Sequence, residues 1–347
     1  MFFASDNSGP VHPNVMLAVA DANQGYAMSY GAEAQMDEVR QNLRALFEAP
    51  EAAIYLVGTG TAANALALAT LGEPWQTVFC APTAHIHEDE CNAPEFFSAG
   101  AKLTLVGQND KISPASLRSA ILAEENRGVH GPQRGPVSLT QVTERGQVYT
   151  VNELHALTAI AREFDLPVYM DGARFANAIS ALGCSPAEMT WRAGIDAVSF
   201  GGTKNGCMGV EAVIFFDPAR AWEFELRRKR GAHLFSKHRY LSAQMLGYLS
   251  DDLWLELAGS ANTATARLVE GFSSAQDVEI LFSPQANMIF ADIPRALHQR
   301  LQGAGAVYHI TRGSSEGDDP AEMLTGRFVC DWSIETAQID RFLDLLK

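Results

Sequence analysis

The feature that most restricts the fold is a series of short runs made almost wholly of Val, Ile, Leu, Phe and Ala, with helix-like stretches between some of them. Residues 52–71, AAIYLVGTGTAANALALATL, read as strand, tight loop and helix. TVFCAPTA, AKLTLVG, GPVSLTQ, LPVYMDGA and IDAVSF read as further short strands, and VNELHALTAIAREFD as a helix. Strands without polar alternation have no solvent face, so they predict a sheet covered on both sides. Alternation of strand and helix predicts crossover units and mainly parallel pairing. VEAVIFFDP follows GGTKNG too closely for a crossover helix, which predicts one antiparallel neighbour.

After about Asp251 the texture changes. ANTATARLVEGFSS reads as a helix, followed by the strand-like VEILF, NMIFADI, AVYHI and RFVCDWS and by a closing helix in ETAQIDRFLDLLK. The expectation is therefore an α/β protein. A large domain over residues 1–250, N-terminal segment included, carries a mainly parallel sheet of seven-stranded type. A smaller α+β domain occupies residues 251–347. At 347 residues and 47% hydrophobic the chain can fill both cores.

Composition narrows the function classes. A net charge of −15 argues against a nucleic-acid surface. No apolar run approaches the ~20 residues of a membrane helix, and MFFASDNSGP lacks the basic and apolar regions of a signal peptide. Five cysteines without framework spacing suit a reducing cytoplasm. Taken alone, the basic run Arg227-Arg228-Lys229-Arg230 reads as a solvated helix face.

Ligands in such sheets collect at the carboxyl ends of strands, and Thr61, His85, Asp171 and Lys204 all fall just beyond strand-like runs. Asp171, in VYMDGAR, is carried to a buried strand end; either it caps a helix starting near Arg174 or it answers a cation such as a pyridinium nitrogen. Lys204 stands among Gly201, Gly202, Thr203 and Gly206, where lost hydration would free its amine as a nucleophile towards carbonyls. Gly58, Gly60 and Thr61 open an Ala-rich helix and offer backbone amides and a hydroxyl to a phosphate. TAHIHEDEC admits three readings: a metal site, an exposed acidic loop, or one imidazole, His85, stacked on a flat cofactor. Together a lysine, an aspartate, a phosphate cup and a flat histidine are the parts that pyridoxal phosphate needs.

These residues carry a resemblance. SDNSGP, SYGAE, GTGTAANALAL, AHIHEDE, YMDGARFANAI, SFGGTKNG and GRFVCDW, spread over nearly the whole chain, resemble the threonine aldolases of the beta-eliminating lyase group. That group lies within the aspartate-aminotransferase-like pyridoxal phosphate enzymes of fold type I. The resemblance implies that Lys204 holds the cofactor covalently, Asp171 binds its ring nitrogen, and His85 stacks on the ring. Gly60, Thr61 and Thr203 would meet the phosphate. Arg174 and Arg327 would hold the substrate carboxylate with Ser5 assisting, and Tyr30 would line the pocket. It implies a homo-oligomer, a dimer sharing its active sites and assembling to a tetramer, in which Arg228 reaches a neighbour's phosphate. No metal ligand is implied. The implied reaction is retro-aldol cleavage of L-threonine, L-allo-threonine and related β-hydroxy amino acids to glycine and an aldehyde. His85 is the first candidate for the base and His87 a weaker one.

Two segments depart from the pattern. Gln141 and Glu144 stand in SLTQVTERG where many relatives have glutamate and histidine, and TKN replaces the usual SKG at the lysine. The alternatives are an aminotransferase or β-eliminating lyase with the same cofactor, a metal-dependent hydrolase built on HIHEDE, and a binding protein that forms no bond at Lys204.

Overall fold

The structure is a computed structural model that describes residues 1–347. Each apolar run of the first part becomes a strand: β1 (Ala53–Val57), β2 (Gln76–Cys80), β3 (Lys102–Leu105), β4 (Gln133–Thr140), β5 (Val168–Asp171), β6 (Ala197–Gly201) and β7 (Glu211–Phe215). They form one seven-stranded sheet in the order β1-β7-β6-β5-β4-β2-β3. Pairing is parallel from β6 through β5, β4 and β2 to β3, and β7 is antiparallel to both of its neighbours. The expected antiparallel strand is therefore present, between β1 and β6.

β1, β5, β6 and β7 are buried along their whole length. Their side chains join the larger of two hydrophobic clusters, which extends to the helices over both faces of the sheet. Two glycines permit a close approach at the sheet's carboxyl edge. A Cβ on Gly172 would lie 2.1 Å from the Ser199 carbonyl oxygen, and one on Gly201 would lie 2.5 Å from that of Ala173. Any side chain there would force the ends of β5 and β6 apart.

The later strands β8 (Glu279–Leu281), β9 (Met288–Pro294), β10 (His309–Arg312) and β11 (Met323–Val329) form an antiparallel sheet in the order β10-β11-β9-β8. Its core is the second cluster, with Phe272, Phe328 and Phe342 at its centre. The helix Leu253–Ser274 serves both units: Leu253, Trp254, Leu257 and Ala258 lie in the first cluster, Leu268 and Phe272 in the second. No helix is long and apolar enough to cross a membrane.

The N-terminal segment ties the units together. Phe3 is buried in the second cluster and exchanges backbone hydrogen bonds with Val307 and Val329. Asp6 then forms an ion pair with Arg174 beyond β5, and the His12 amide donates to the Gly206 carbonyl.

Candidate active site

The site lies along the carboxyl edge of the large sheet. Beyond β1, Thr59 is extended and caps the helix Gly60–Leu71 by accepting the Ala62 amide on its hydroxyl. As the first two residues of that helix, Gly60 and Thr61 have amides with no intrahelical acceptor. No atom lies within 4 Å of where a Cβ on Gly58 or Gly60 would sit. The result is an open cradle with donors aimed into it, fit for an anion.

Beyond β2 the chain turns into the short helix His85–Glu88. His85 Nδ1 lies 2.8 Å from Glu90 Oε1, and Asn64 Nδ2 donates to the same oxygen at 2.7 Å. Asn64 also donates to Asp171 Oδ2 at 2.9 Å, and its Oδ1 accepts the Tyr169 hydroxyl at 2.8 Å. One buried network thus orients the imidazole and the carboxylate together. Asp171 Oδ1 takes the Ala173 amide at 3.0 Å, and Arg174, not Asp171, occupies the cap position of the helix Phe175–Leu182. Both Asp171 oxygens are thus engaged, each bond to a charged acceptor being worth about 1.5–3 kcal/mol, while Glu90 Oε2 is buried without a partner. The Glu90 hydrogen bond, outweighing burial, raises the His85 imidazole above its ordinary range, with Asp171 and Glu144 adding to it.

Beyond β6, Thr203–Asn205 form a single tight turn that carries Lys204 half-buried. Gly206 closes the turn at φ 101°, and a Cβ there would strike Leu257 at 2.7 Å. Asn205 anchors the turn by donating to the Tyr248 hydroxyl and the Trp254 carbonyl. A cavity of about 310 Å³ collects Gly58, Gly60, Thr61, His85, Asp171, Thr203 and Lys204 on one wall or another. It opens into a wider mouth of about 780 Å³, where Ser5, His85, Arg174, Lys204 and Arg327 meet Phe282 and Phe290 of the smaller unit.

Arg174 and Arg327 differ. Arg174 is almost wholly buried, and its guanidinium is gripped by both oxygens of Asp6 at 2.7 and 3.0 Å. Burial alone would raise the Asp6 carboxyl, but Arg174 and Lys204 hold it below the usual carboxylate range. Arg327, on β11, has only a 3.3 Å contact to the Ala4 carbonyl and faces the mouth. It is the freer cation for an incoming carboxylate.

Tyr30 and Arg228 are not brought to this cavity. Tyr30 is exposed, with the Lys229 ammonium 4.8 Å from its ring centre. Arg228 corrects the reading of the basic run as a solvated face. It is 2% exposed, so it is not on a solvated helix face. It turns inward to the Leu56 carbonyl and Glu225 and stacks over Tyr55 at 5.1 Å. The residues of HIHEDE do not converge either: no group of three or more His, Cys, Asp or Glu side chains is arranged to hold a metal ion.

Sequence reasoning missed Asn7, Asn64, Glu90 and Glu211. Asn64 was visible as the one amide in a helix otherwise of Ala, Leu, Thr and Gly, and it is buried here. Glu211 was visible as a charge opening a buried strand. It lines the inner cavity, accepts the Gly202 amide at 3.2 Å, and burial pushes its carboxyl up to about 7.

Comparison with known proteins agrees with this geometry. The Beta-eliminating lyase family model matches residues 3–295. The low specificity L-threonine aldolase of Pseudomonas aeruginosa is 40% identical over 339 residues, 97% of this chain and 94% of that one. The threonine aldolase structure from Leishmania major superposes with a TM-score of 0.92 at 26% identity, covering 99% and 98% of the two chains. A structure of SPT with PLP superposes with a TM-score of 0.71 at 17% identity, covering 100% and 86%, and shares the fold. With a family model over most of its length and a relative aligned almost end to end, the chain belongs to the beta-eliminating lyase family and, within it, to the threonine aldolases.

Proposed function

We propose that the protein is a pyridoxal phosphate-dependent aldehyde-lyase. It cleaves L-threonine, L-allo-threonine and related β-hydroxy-α-amino acids to glycine and an aldehyde. The observation that carries this reading is the single inner cavity holding Lys204, Asp171 and His85 around the Gly58–Thr61 cradle.

The residues fit the cofactor. The cradle leaves space where side chains would be, presents the unpaired Gly60 and Thr61 amides, and has Thr203 beside it. Asp171 is a buried carboxylate suited to a protonated ring nitrogen, which is a buried anion's natural partner. Pyridoxal phosphate supplies an electron sink for the pair left on Cα when the Cα–Cβ bond breaks. The protein supplies the rest. Lys204, half-buried in the cavity, would hold the cofactor covalently through its amine. Asp171, fixed by Asn64 and the Ala173 amide, would keep the ring nitrogen protonated. His85, its imidazole oriented by Glu90, would stack on the ring. Arg327, with Ser5, would hold the substrate carboxylate and so orient the bonds at Cα. Arg174 shapes the same wall through Asp6.

Two copies are proposed to associate, with two such dimers forming a tetramer. An apolar cavity of about 460 Å³ lined by Met208, Phe235 and Tyr240 reaches Gly58, and Leu17, Tyr26, Met28 and Tyr30 are exposed on adjoining segments. Apolar surface of this kind marks an association site, and it would place Tyr30 in a neighbour's pocket. Light scattering at a mass above one chain supports this; a monomer that is fully active contradicts it. Residues 1–250 and 251–347 are proposed as the two domains, each with its own sheet. The five cysteines form no disulfide, which suits a reducing, cytoplasmic setting.

The reaction is tested by incubating the cofactor-loaded protein with L-threonine. Equal release of glycine and acetaldehyde supports the aldolase reading. Keto-acid formation without glycine would replace it with an aminotransferase or β-eliminating lyase.

A further inference from the structure

The inner cavity and its mouth share Asn7, His85, Glu144 and Lys204, so these side chains stand at the neck between them. A substrate whose amine takes the place of Lys204 and whose carboxylate reaches Arg327 has its β-carbon in that neck. Lys204 is committed to the cofactor, and His85 is held at Nδ1 by Glu90. Glu144 is different. No hydrogen bond or ion pair engages its carboxylate, which feels its neighbours only through burial and charge. The other carboxylates of the mouth are otherwise placed: Glu88 and Asp89 are exposed, and Asp292 is bound by Thr325 and Arg312. A polar group left unpaired in a half-buried neck is costly unless something that visits the site completes it.

We propose that Glu144 is the catalytic residue that takes the proton from the substrate's β-hydroxyl. The inference rests on the aldolase reading above. The Glu144 carboxylate accepts the hydroxyl proton, and the O–H electron pair becomes the second bond of the aldehyde carbonyl. The Cα–Cβ bond breaks and its pair is left on Cα, where the bound cofactor would supply the sink for it. One proton delivered to Cα from Lys204 or solvent completes glycine, and Glu144 returns its own proton to water as the aldehyde leaves. The charges facing Glu144 include Arg174, Lys204, Asp171, His85 and, from the smaller unit, Arg327. Burial raises its carboxyl above the ordinary range, and Arg174 and Lys204 oppose that rise. A carboxylate shifted in this direction is a stronger proton acceptor than an exposed one.

The test compares Glu144→Gln, Glu144→Asp and wild type as cofactor-loaded proteins. Three properties are read: visible absorbance of bound cofactor, kcat for L-threonine cleavage against pH, and exchange of the glycine α-hydrogen in deuterated water by NMR. Glycine exchange needs the cofactor, Lys204 and Asp171 but has no β-hydroxyl to deprotonate. Glu144→Gln is expected to bind cofactor as wild type does and to exchange glycine within about threefold. It should cleave threonine at least about 100-fold more slowly, losing the acidic limb of the pH profile. Glu144→Asp should recover part of the rate. Cleavage within threefold of wild type, or a parallel fall of cleavage and glycine exchange, overturns the assignment. A wild type that exchanges glycine but cleaves no β-hydroxy amino acid overturns the aldolase reading itself, and this proposal with it.

Discussion

The floor and the mouth of the site are built on opposite principles. On the floor, Asp171, Asn64, Glu90, His85 and Tyr169 form one hydrogen-bonded network at the ends of buried parallel strands. At the mouth, Arg327 has one long contact, Glu144 has none, and half of the wall comes from the antiparallel unit. The contrast teaches a division of labour. A resident cofactor repays a fixed, prepaid geometry, whereas a substrate that comes and goes needs groups whose pairing is left open for it.

That division is broken most forcefully at Asp171. Replacing it with Asn keeps the shape of the floor but removes the anion; kcat should fall by about 10²–10³ while cofactor remains bound. A rate near wild type with stoichiometric cofactor would show that the floor does not act through charge. Asp6→Ala tests whether Arg174 belongs to the scaffold and not to the open mouth. Loss of a buried pair's anion leaves an uncompensated cation and should cost about 3 kcal/mol in denaturant unfolding. A change below ~1 kcal/mol would return Arg174 to the group of freely available substrate ligands. At the mouth, Arg327→Ala should raise KM for threonine by about 10- to 100-fold with a smaller change in kcat. An unchanged KM would remove Arg327 from the substrate site.

A further effect, read in stability against pH, concerns Glu211. Its folded carboxyl is raised to about 7 from 4.5 by burial, so between those values the native protein holds a proton that the unfolded chain has lost. Stability attributable to this group is therefore greatest below about pH 4.5 and declines as pH rises towards 7, by at most about 3 kcal/mol. Glu211→Gln should flatten that decline in unfolding measurements of the cofactor-free protein. A decline equal to wild type's would mean that Glu211 is solvated in solution.

The floor was largely legible in the sequence, and the mouth much less so. Runs such as IDAVSF and LPVYMDGA declare a sheet buried on both faces, and the residue after a buried run is delivered to a strand end. Asp171, Lys204, His85 and Thr61 were therefore locatable without coordinates. The partners were not. Asn64 meets Asp171 across 107 positions and Arg174 meets Asp6 across 168, and no local pattern encodes such pairings. The basic run, read alone as a solvated face, misled for a related reason. In the run from Arg227 to Arg230 every residue is basic, but helical periodicity turns one of them inward, and which one depends on where Tyr55 and Leu56 lie. The N-terminal segment gave no hint that Phe3 would join the core of the smaller unit.

The account stands on one reactive amine placed over that floor. Loading the protein with pyridoxal phosphate, reducing with borohydride and mapping the peptides by mass tests it most directly. The reduced cofactor should be found on Lys204, and the substitution Lys204→Ala should abolish both the adduct and turnover. An adduct confined to another lysine, or full turnover without any adduct at residue 204, would contradict it.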